Sequence, residues 1–286
     1  MSSLRILSQI FSPPIFQKIV RQDDFILFQK QIKKYLNTGN YDTNLDVIKS
    51  LYKNLQERYR CEYIYKNNLF LKLISEYGLR VTSVLNELKI GSSKADLVLL
   101  NGSVRVYEIK TELDDFSKLS KQINDYQKFA DEVSVVTDEN SAKKLEIEYA
   151  DSSIGIIILD AKHKIQIIKE AESNTSYFNF DTIFKILRKQ EYIDLVTENF
   201  GFVPDVPNTQ IFRTCYNLLA DINIVDFQKQ VLNKLKERKL SKPSLLRSSK
   251  TPRELKYICN SLDFNEQEYY KLYDFLKNKS VCTYHI

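Results

Sequence analysis

The sequence predicts an α/β fold in which a mixed β-sheet is flanked by helices. Two β-type runs within residues 95–110 are separated by Asn101-Gly102, a pair typical of hairpin turns. Short, continuously apolar runs at 133–137 and 154–159 are typical of strands buried on both faces of a sheet. Segments with helical periodicity lie around and between these strands.

The first 80 residues are predicted to be helical. Apolar residues from Phe25 to Leu36 follow a helical stripe, and a second helix begins near Thr43, which can act as its N-cap. A third helix spans roughly residues 62–77. We therefore treat residues 1–56 as an N-terminal helical segment, with the third helix opening the next region.

The middle of the chain, residues 57–170, is predicted to form the core of the fold. Its element order is α-(β)-β-β-α-β-α-β-β, in which the strand before the hairpin is optional. After the third helix the predicted elements are strands at 95–100 and 103–110, a helix at 114–130, a strand at 133–137, a helix at 141–149, and strands at 154–159 and 165–168.

Beyond about residue 170 the strand pattern stops, which predicts a helical C-terminal subdomain over residues 171–286. Thr251 followed by Pro252 and then Glu254 predicts one helix start, because Thr is a good cap and Pro suits the first helical position. The other predicted helices are at 181–189, 191–199, 210–220 and 226–239.

The charge balance permits a nucleic-acid partner without requiring one. The formal net charge is only +5, but residues 231–258 carry nine Lys and Arg against two Glu. This basic window could bind phosphates, and it is equally compatible with a solvated helix end and loop. The predicted nucleic-acid contacts are Lys234, Lys236, Arg238, Lys239, Lys242, Arg247, Lys250 and Arg253.

The cysteine pattern and the hydropathy favour a soluble, cytoplasmic protein. The four cysteines are far apart and form no C-x-x-C pair, so neither a zinc site nor a disulfide framework is indicated. The interior apolar run at 154–159 is far too short to cross a bilayer, and Pro13-Pro14 ends the N-terminal apolar run without a cleavage site. We therefore expect no membrane partner.

Three residues of the predicted hairpin have the chemistry needed for phosphodiester hydrolysis. Asp96 and Glu108 offer carboxylate oxygens, which hard divalent cations prefer as ligands. Lys110 follows Glu108 by two residues and so projects from the same strand face, which places a positive charge beside the carboxylate.

These residues resemble the PD-(D/E)XK nuclease superfamily. The similar pattern is Asp96, then eleven residues, then Glu108-Ile109-Lys110 across a hairpin, although Ala95 stands where the superfamily name has proline. The resemblance implies a restriction-endonuclease-like αβββαβ core, and residues from about 58 to 137 also look like a little-characterised bacterial family of that superfamily.

Two flanking helices extend the resemblance. Gln122 and Tyr126 look like the Q-x-x-x-Y element of the RecB-like branch, and their spacing places them on one helical face. Glu62 lies on the upstream helix, where such nucleases often have another glutamate. Glu62 could equally pair with Arg58, and Tyr126 could be a core residue only.

The resemblance implies a role for each of these residues. Asp96 and Glu108 would bind Mg²⁺ or Mn²⁺, together with the Ile109 carbonyl and Glu62, and Lys110 would orient or activate the attacking water. Gln122 and Tyr126 would position the substrate or support the metal ligands. The nearby acids Glu112, Asp114 and Asp115 are expected to cap the following helix.

The hairpin register provides a geometric test of this site. With a two-residue turn at Asn101-Gly102, Asp96 would lie opposite Tyr107, and the two carboxylates would face opposite sides of the sheet. A shared site therefore predicts an odd-numbered loop or a bulge.

The sequence thus predicts a metal-dependent nuclease, with DNA favoured over RNA and a role in defence or restriction as an analogy from fold. One alternative is a nucleic-acid-binding or regulatory protein on an inactive nuclease-like scaffold. Another is an RNA-directed nuclease, because the metal acts on the phosphate and not on the sugar. A dimer is compatible with the sequence, which leaves the oligomeric state open.

Overall fold

The structure is a computed structural model that describes residues 2–36, 41–79 and 82–280. The helices before the sheet are α1 (Ser2–Ser8), α2 (Pro13–Gln22), α3 (Ile26–Tyr35), α4 (Asn44–Arg58) and α5 (Glu62–Tyr77). The strands are β1 (Ser83–Ile90), β2 (Ser93–Leu100), β3 (Val104–Ile109), β4 (Glu132–Thr137), β5 (Gly155–Leu159) and β6 (Ile165–Lys169). The helices within and after the sheet are α6 (Leu119–Gln127), α7 (Glu139–Glu148), α8 (Phe180–Phe184), α9 (Lys189–Phe200), α10 (Ile211–Leu219), α11 (Ile224–Glu237), α12 (Pro243–Arg247), α13 (Lys256–Leu262) and α14 (Glu266–Lys277).

The six strands form one mixed sheet in the order β1-β2-β3-β4-β5-β6. The first three strands pair antiparallel, β3, β4 and β5 pair parallel, and β6 returns antiparallel to β5. Helices α6 and α7 make the two crossovers that the parallel pairs require. The predicted α/β class with a mixed sheet is confirmed, and the optional strand before the hairpin is present as β1.

Helices cover both faces of the sheet, which explains the nearly continuous burial of its central strands. On the face that we call the crossover face, the core contains side chains of α6 to α11. On the opposite face, which we call the terminal face, the core contains α1 to α5 together with α12 to α14. The helices after the sheet therefore divide between the two faces, and the first and last described helices both lie on the terminal face.

The N-terminal helices follow the sequence closely. Thr43 caps α4 in a capping box with Asp46, as its position predicts. Helix α5 begins and ends at the predicted residues, and almost every side chain from 63 to 70 is buried because the helix lies between the sheet and the outer helices.

Two predicted helix starts are wrong, and local hydrogen bonds explain both. The helix expected from residue 114 begins at Leu119, because Asp114 accepts bonds from Thr111 and Asp115 accepts one from the Ser117 N–H, and these bonds form turns ahead of the helix. The helix expected at Thr251 begins at Lys256 after a 3-10 turn, because the Thr251 hydroxyl contacts the Leu245 carbonyl instead.

Among the described residues, no helix is both long enough and apolar enough to span a bilayer. Cys61, Cys215 and Cys259 are free thiols, whereas Cys282 lies outside the described residues.

Candidate active site

The loop between β2 and β3 has three residues, which confirms the prediction of an odd-numbered loop. Leu100 pairs with Val104 and Leu97 pairs with Tyr107. One further step in this register would bring Asp96 opposite Glu108, but the paired ladder ends at Leu97 and Tyr107. Gly102 adopts a φ of +73°, a left-handed conformation that glycine tolerates better than other residues.

Asp96 lies where the regular side-chain alternation of β2 slips by one residue. Ala95 and Val98 both belong to the crossover-face core, whereas Leu97 belongs to the terminal-face core. Beyond the Leu97 pair the ladder to β3 ends, and Asp96 Oδ2 accepts the Ile109 N–H at 2.9 Å in place of a backbone carbonyl. Asp96 therefore occupies the gap where the two strands separate.

Glu108 is a buried carboxylate, with only 3 % of its surface exposed. Gln122 Nε2 donates a hydrogen bond to its Oε1, and the Tyr126 hydroxyl lies 2.7 Å from its Oε2. Lys110 Nζ is 3.3 Å from Oε1. Burial, followed by the negative charge of Asp96, raises the pKa of Glu108 to about 7. Lys110, Gln122 and Tyr126 thus all contact the Glu108 carboxylate, as the predicted site requires.

A second group of carboxylates surrounds the ammonium group of Lys66. Lys66 Nζ lies 2.5 Å from a Glu62 oxygen, 2.9 Å from Glu87 and 2.9 Å from Asp96. Carboxylate oxygens of these three acids lie within 4.8 Å of one another. Burial would lower the pKa of Lys66, but the charges of Asp96 and Glu62 outweigh it, so the pKa is raised.

Sequence reasoning missed both Lys66 and Glu87. The signal for Lys66 was its position four residues after Glu62, next to the apolar residues Tyr63, Ile64 and Tyr65, because a buried lysine needs a counter-ion. Glu62 pairs with Lys66 rather than with Arg58. No comparable signal marked Glu87, because its strand was only an optional element.

Glu87 has an uncommon backbone conformation for a strand residue. Asn86 pairs with Leu97 and Leu88 pairs with Ala95, so Glu87 lies opposite Asp96, and its φ is +53°. A non-glycine residue in this region costs about 1–2 kcal/mol. Such conformations cluster at functional sites, and here it turns the Glu87 carboxylate towards Lys66.

The carboxylates of these two groups form a donor set whose chemistry fits a divalent cation. It consists of hard carboxylate oxygens, which suit Mg²⁺ and Mn²⁺. Burial raises the pKa of Asp96 as it does that of Glu108, and a cation would relieve this unfavourable charge. Gln122 Oε1 is buried without a hydrogen-bond partner in the described part of the chain, which leaves one oxygen for a ligand or its water.

The residues of the predicted basic window fall into three groups. Lys234 pairs with Glu198, Arg238 pairs with Glu191 at 2.6 Å, and Lys242 pairs with Glu266, so these three neutralise acids of the protein itself. Lys236, Lys239 and Arg247 line a groove beside β1. Lys250 and Arg253 are exposed.

The comparisons with known proteins place the site inside one family match. The family described as bacteriophage P4 protein cII matches residues 55–259, which include every residue of the two carboxylate groups. A curated relative, protein cII of Enterobacteria phage P4, is 23% identical over 181 residues, or 62% of this chain. The match spans 60% of the length of that relative.

One solved structure shows a weak likeness. A protein of unknown function from Silicibacter pomeroyi is 15% identical, with a TM-score of 0.31, over 48% of this chain and 92% of that chain. The family match covers well over half of the sequence, and on that basis the chain belongs to the bacteriophage P4 cII family.

Proposed function

We propose that this protein is a divalent-metal-dependent nuclease that hydrolyses phosphodiester bonds in DNA. The observation that carries the proposal is that the Asp96 carboxylate accepts the Ile109 N–H, one residue after Glu108, and that Lys110 Nζ lies beside the Glu108 carboxylate. The element order α5-β1-β2-β3-α6-β4 also matches the αβββαβ order expected from the resemblance to PD-(D/E)XK nucleases.

In the proposed site, each side chain has a distinct task. Asp96 and Glu108 would hold the cation with their carboxylate oxygens, and the Ile109 N–H fixes the orientation of Asp96. Gln122 and Tyr126 orient Glu108 from α6, as residues behind a metal ligand commonly do. A bound cation would neutralise the scissile phosphate and lower the pKa of a water ligand.

Lys110 supplies positive charge where it is needed in the reaction. The water oxygen forms a bond to phosphorus and gives up a proton to solvent, the bond from phosphorus to the ester oxygen breaks, and that leaving oxygen takes up a proton from solvent. Negative charge develops on the phosphoryl oxygens during this step, and a fixed ammonium group in a water-poor site stabilises it. The Lys110 side chain is 12% exposed, so water screens its charge only weakly.

A second candidate function is nucleic-acid binding without cleavage. The specific observation that favours it is Lys66, whose ammonium group lies among three carboxylates that could otherwise hold a cation. A permanently seated Lys66 would replace the metal and leave a folded scaffold without catalysis.

A cleavage assay separates the two functions. Supercoiled plasmid, linear duplex, single-stranded DNA and RNA are incubated with the pure protein in Mg²⁺, Mn²⁺ or EDTA, beside Glu108→Ala and Lys110→Ala. The nuclease proposal expects metal-dependent cleavage of DNA that falls at least about 100-fold in both variants. Glu132→Ala on β4 is the matched control, because Glu132 is an acid of the same sheet paired with Arg105 away from the site.

The possible outcomes separate clearly. Binding of DNA without cleavage in any metal supports the second function and overturns the first. Cleavage that survives both substitutions places the activity elsewhere. Cleavage of RNA but not of DNA would support the proposed catalytic site and would identify RNA as the substrate.

A further inference from the structure

A large groove runs along the outer edge of β1. Its volume is about 1080 Å³, and its opposite wall is formed by the end of α11, by α12 and by the last turn of α13 with Asp263 after it. Because β1 is the first strand of the sheet, its outer edge has no neighbouring strand among the described residues. Apart from the Val84 carbonyl, which accepts a hydrogen bond from Asn260 Nδ2, backbone donors and acceptors of this edge are available to a ligand in the described part of the chain.

The groove has an excess of unpaired positive charge. Five basic residues line it without an ion pair in the described part of the chain: Lys89, Arg188, Lys236, Lys239 and Arg247. Two of the acids that line it are paired with lysines, since Glu87 pairs with Lys66 and Glu237 with Lys234, whereas Asp263 accepts hydrogen bonds from Ser241 and keeps its charge. An extended groove in which free cations outnumber the unpaired acid suits a polyanion.

The same groove contains buried hydrogen-bond acceptors without partners. Thr82 and Asn260 are only 7 % and 3 % exposed, yet Thr82 Oγ1 and Asn260 Oδ1 have no hydrogen-bond partner among the described residues. Asn86 Oδ1 is a third such atom. Buried polar atoms are nearly always satisfied, so three unsatisfied atoms in one groove indicate a ligand that brings hydrogen-bond donors.

A nucleic acid with unpaired bases supplies both features, because it is a polyanion and its bases carry free hydrogen-bond donors. In a duplex the donors of the Watson–Crick edges are already used, whereas in a single strand the amino and imino groups are free. Phosphates can then contact Lys236 and Lys239 while bases donate to the acceptors at Thr82, Asn86 and Asn260.

The groove also leads to the carboxylate groups. Glu87 lines it and bonds to Lys66, which in turn contacts Asp96. A strand lying along β1 would therefore bring its backbone to the proposed catalytic site.

We infer that the β1 groove binds single-stranded nucleic acid and delivers it to the Asp96–Glu108 site. The binding part stands independently, and the delivery part rests on the proposed nuclease function. The inference names the substrate as an unpaired strand, such as an overhang, a displaced strand or a single-stranded genome segment.

Fluorescence anisotropy in EDTA tests the binding part without catalysis. The probes are a labelled mixed-sequence 16-mer and the same 16-mer as a duplex, each titrated at two salt concentrations. The wild type is compared with Lys236→Glu/Lys239→Glu and with Asn260→Leu. The matched control is Lys143→Glu/Lys144→Glu, two exposed lysines on α7 far from the groove in the fold.

We expect the wild type to bind the single strand at least about tenfold more tightly than the duplex. The double charge reversal should weaken this binding at least about tenfold and reduce its salt slope by about 1.4, the value for two lost phosphate contacts on a single strand. Asn260→Leu should reduce the preference for the single strand and leave the salt slope unchanged. The α7 control should bind as the wild type does.

Several results would overturn the inference. One is equal affinity for the duplex and the single strand. Another is a charge reversal in the groove that lowers the affinity no more than the α7 control does. Absence of all nucleic-acid binding also overturns the inference, and a peptide strand that pairs with the edge of β1 then becomes the alternative ligand. If Glu108→Gln binds normally and the wild type never cleaves, the nuclease proposal fails while the groove assignment survives.

Discussion

Lys66 Nζ lies 2.9 Å from Asp96 Oδ1, so the residue predicted to hold a metal ion is held by a buried ammonium group instead. The same nitrogen contacts Glu62 and Glu87. In this structure Lys66 compensates negative charge that a divalent cation could also compensate. Competition between the two cations is therefore a property that can be measured.

Removing the ammonium group should make the metal-free protein less stable and more responsive to metal. We expect Lys66→Met to lower the free energy of unfolding in EDTA by about 3 kcal/mol, because buried carboxylates lose their counter-ion. Mn²⁺ should raise the melting temperature of the variant more than that of the wild type. Thermal melts with EDTA and with Mn²⁺ measure both effects.

Lys72→Met is the control for this prediction, because Lys72 forms an exposed i,i+4 pair with Glu76 on the same helix. An equal response of Lys66→Met and Lys72→Met to Mn²⁺ would contradict competition at the site.

Neutralising Glu108 should stabilise the metal-free protein at alkaline pH. The pKa of Glu108 is about 7 in the folded protein against an ordinary value of 4.5, so the folded state binds the proton more tightly than the unfolded state. The free energy of unfolding should therefore fall as pH rises from about 4.5 to about 7, and Glu108→Gln should escape that loss. We expect a difference on the order of 1–3 kcal/mol above pH 7, with cleavage abolished.

Urea unfolding of both proteins in EDTA at pH 5 and pH 8 measures this difference. Glu132→Gln, at a partly exposed acid of β4, should show no such gain. A Glu108→Gln variant that is less stable than the wild type at pH 8 would mean that Glu108 serves the fold rather than metal binding.

Removing the Tyr126 hydroxyl should weaken metal binding through Glu108. The hydroxyl lies 2.7 Å from Glu108 Oε2 and 2.7 Å from the Lys94 carbonyl, so its single proton is shared between these two acceptors. Tyr126 lies on α6, and the hydroxyl therefore connects this helix to Glu108. Tyr126→Phe should reduce Mn²⁺ affinity about 10–100-fold while the fold persists. Calorimetric titration with Mn²⁺ measures this effect, and the control is Tyr149→Phe, at the C-terminal end of α7, where the hydroxyl lies 3.4 Å from Ser120 Oγ. Unchanged Mn²⁺ affinity in Tyr126→Phe would assign the tyrosine to packing alone.

The β1–β2 turn should depend on Gly91 for space as well as for conformation. Gly91 has a φ of +61°, and a Cβ there would lie 2.8 Å from Asp125 Oδ1. Asp125 accepts bonds from the Ser92 and Ser93 hydroxyls at 2.7 and 2.8 Å and thereby fixes the turn to α6. Gly91→Ala should therefore cost about 1 kcal/mol for the backbone and a further 1–3 kcal/mol for the displaced carboxylate.

Gly102→Ala provides the matched comparison. Gly102 has a similar φ of +73°, but a Cβ there would have no neighbour within 4 Å. Chemical denaturation of the two variants isolates the contribution of Asp125. Equal losses would show that the carboxylate adapts without cost.

Much of the site could be predicted because its residues are close in the sequence. Asp96, Glu108 and Lys110 lie on one hairpin, and Gln122 and Tyr126 lie on the next helix, so strand alternation and helical spacing agreed with the grouping that the resemblance implied. The odd-numbered loop followed from requiring that the two carboxylates meet. The helix starts predicted at residues 114 and 251 were wrong because the Asp114 and Thr251 side chains form hydrogen bonds within turns and do not cap the helix that follows.

The sequence by itself determined the α/β class, the hairpin and the acidic motif, since these depend on local periodicity and short spacings. Only the tertiary structure decided that Lys66 lies among Glu62, Glu87 and Asp96, and that Lys234 and Arg238 are engaged in ion pairs while Lys236 and Lys239 face a groove. The physical reason is that a charged side chain takes its partner from whichever element packs beside it. Packing of α5 against the sheet, and of α11 beside β1, joins residues whose separation in the chain carries no local signal.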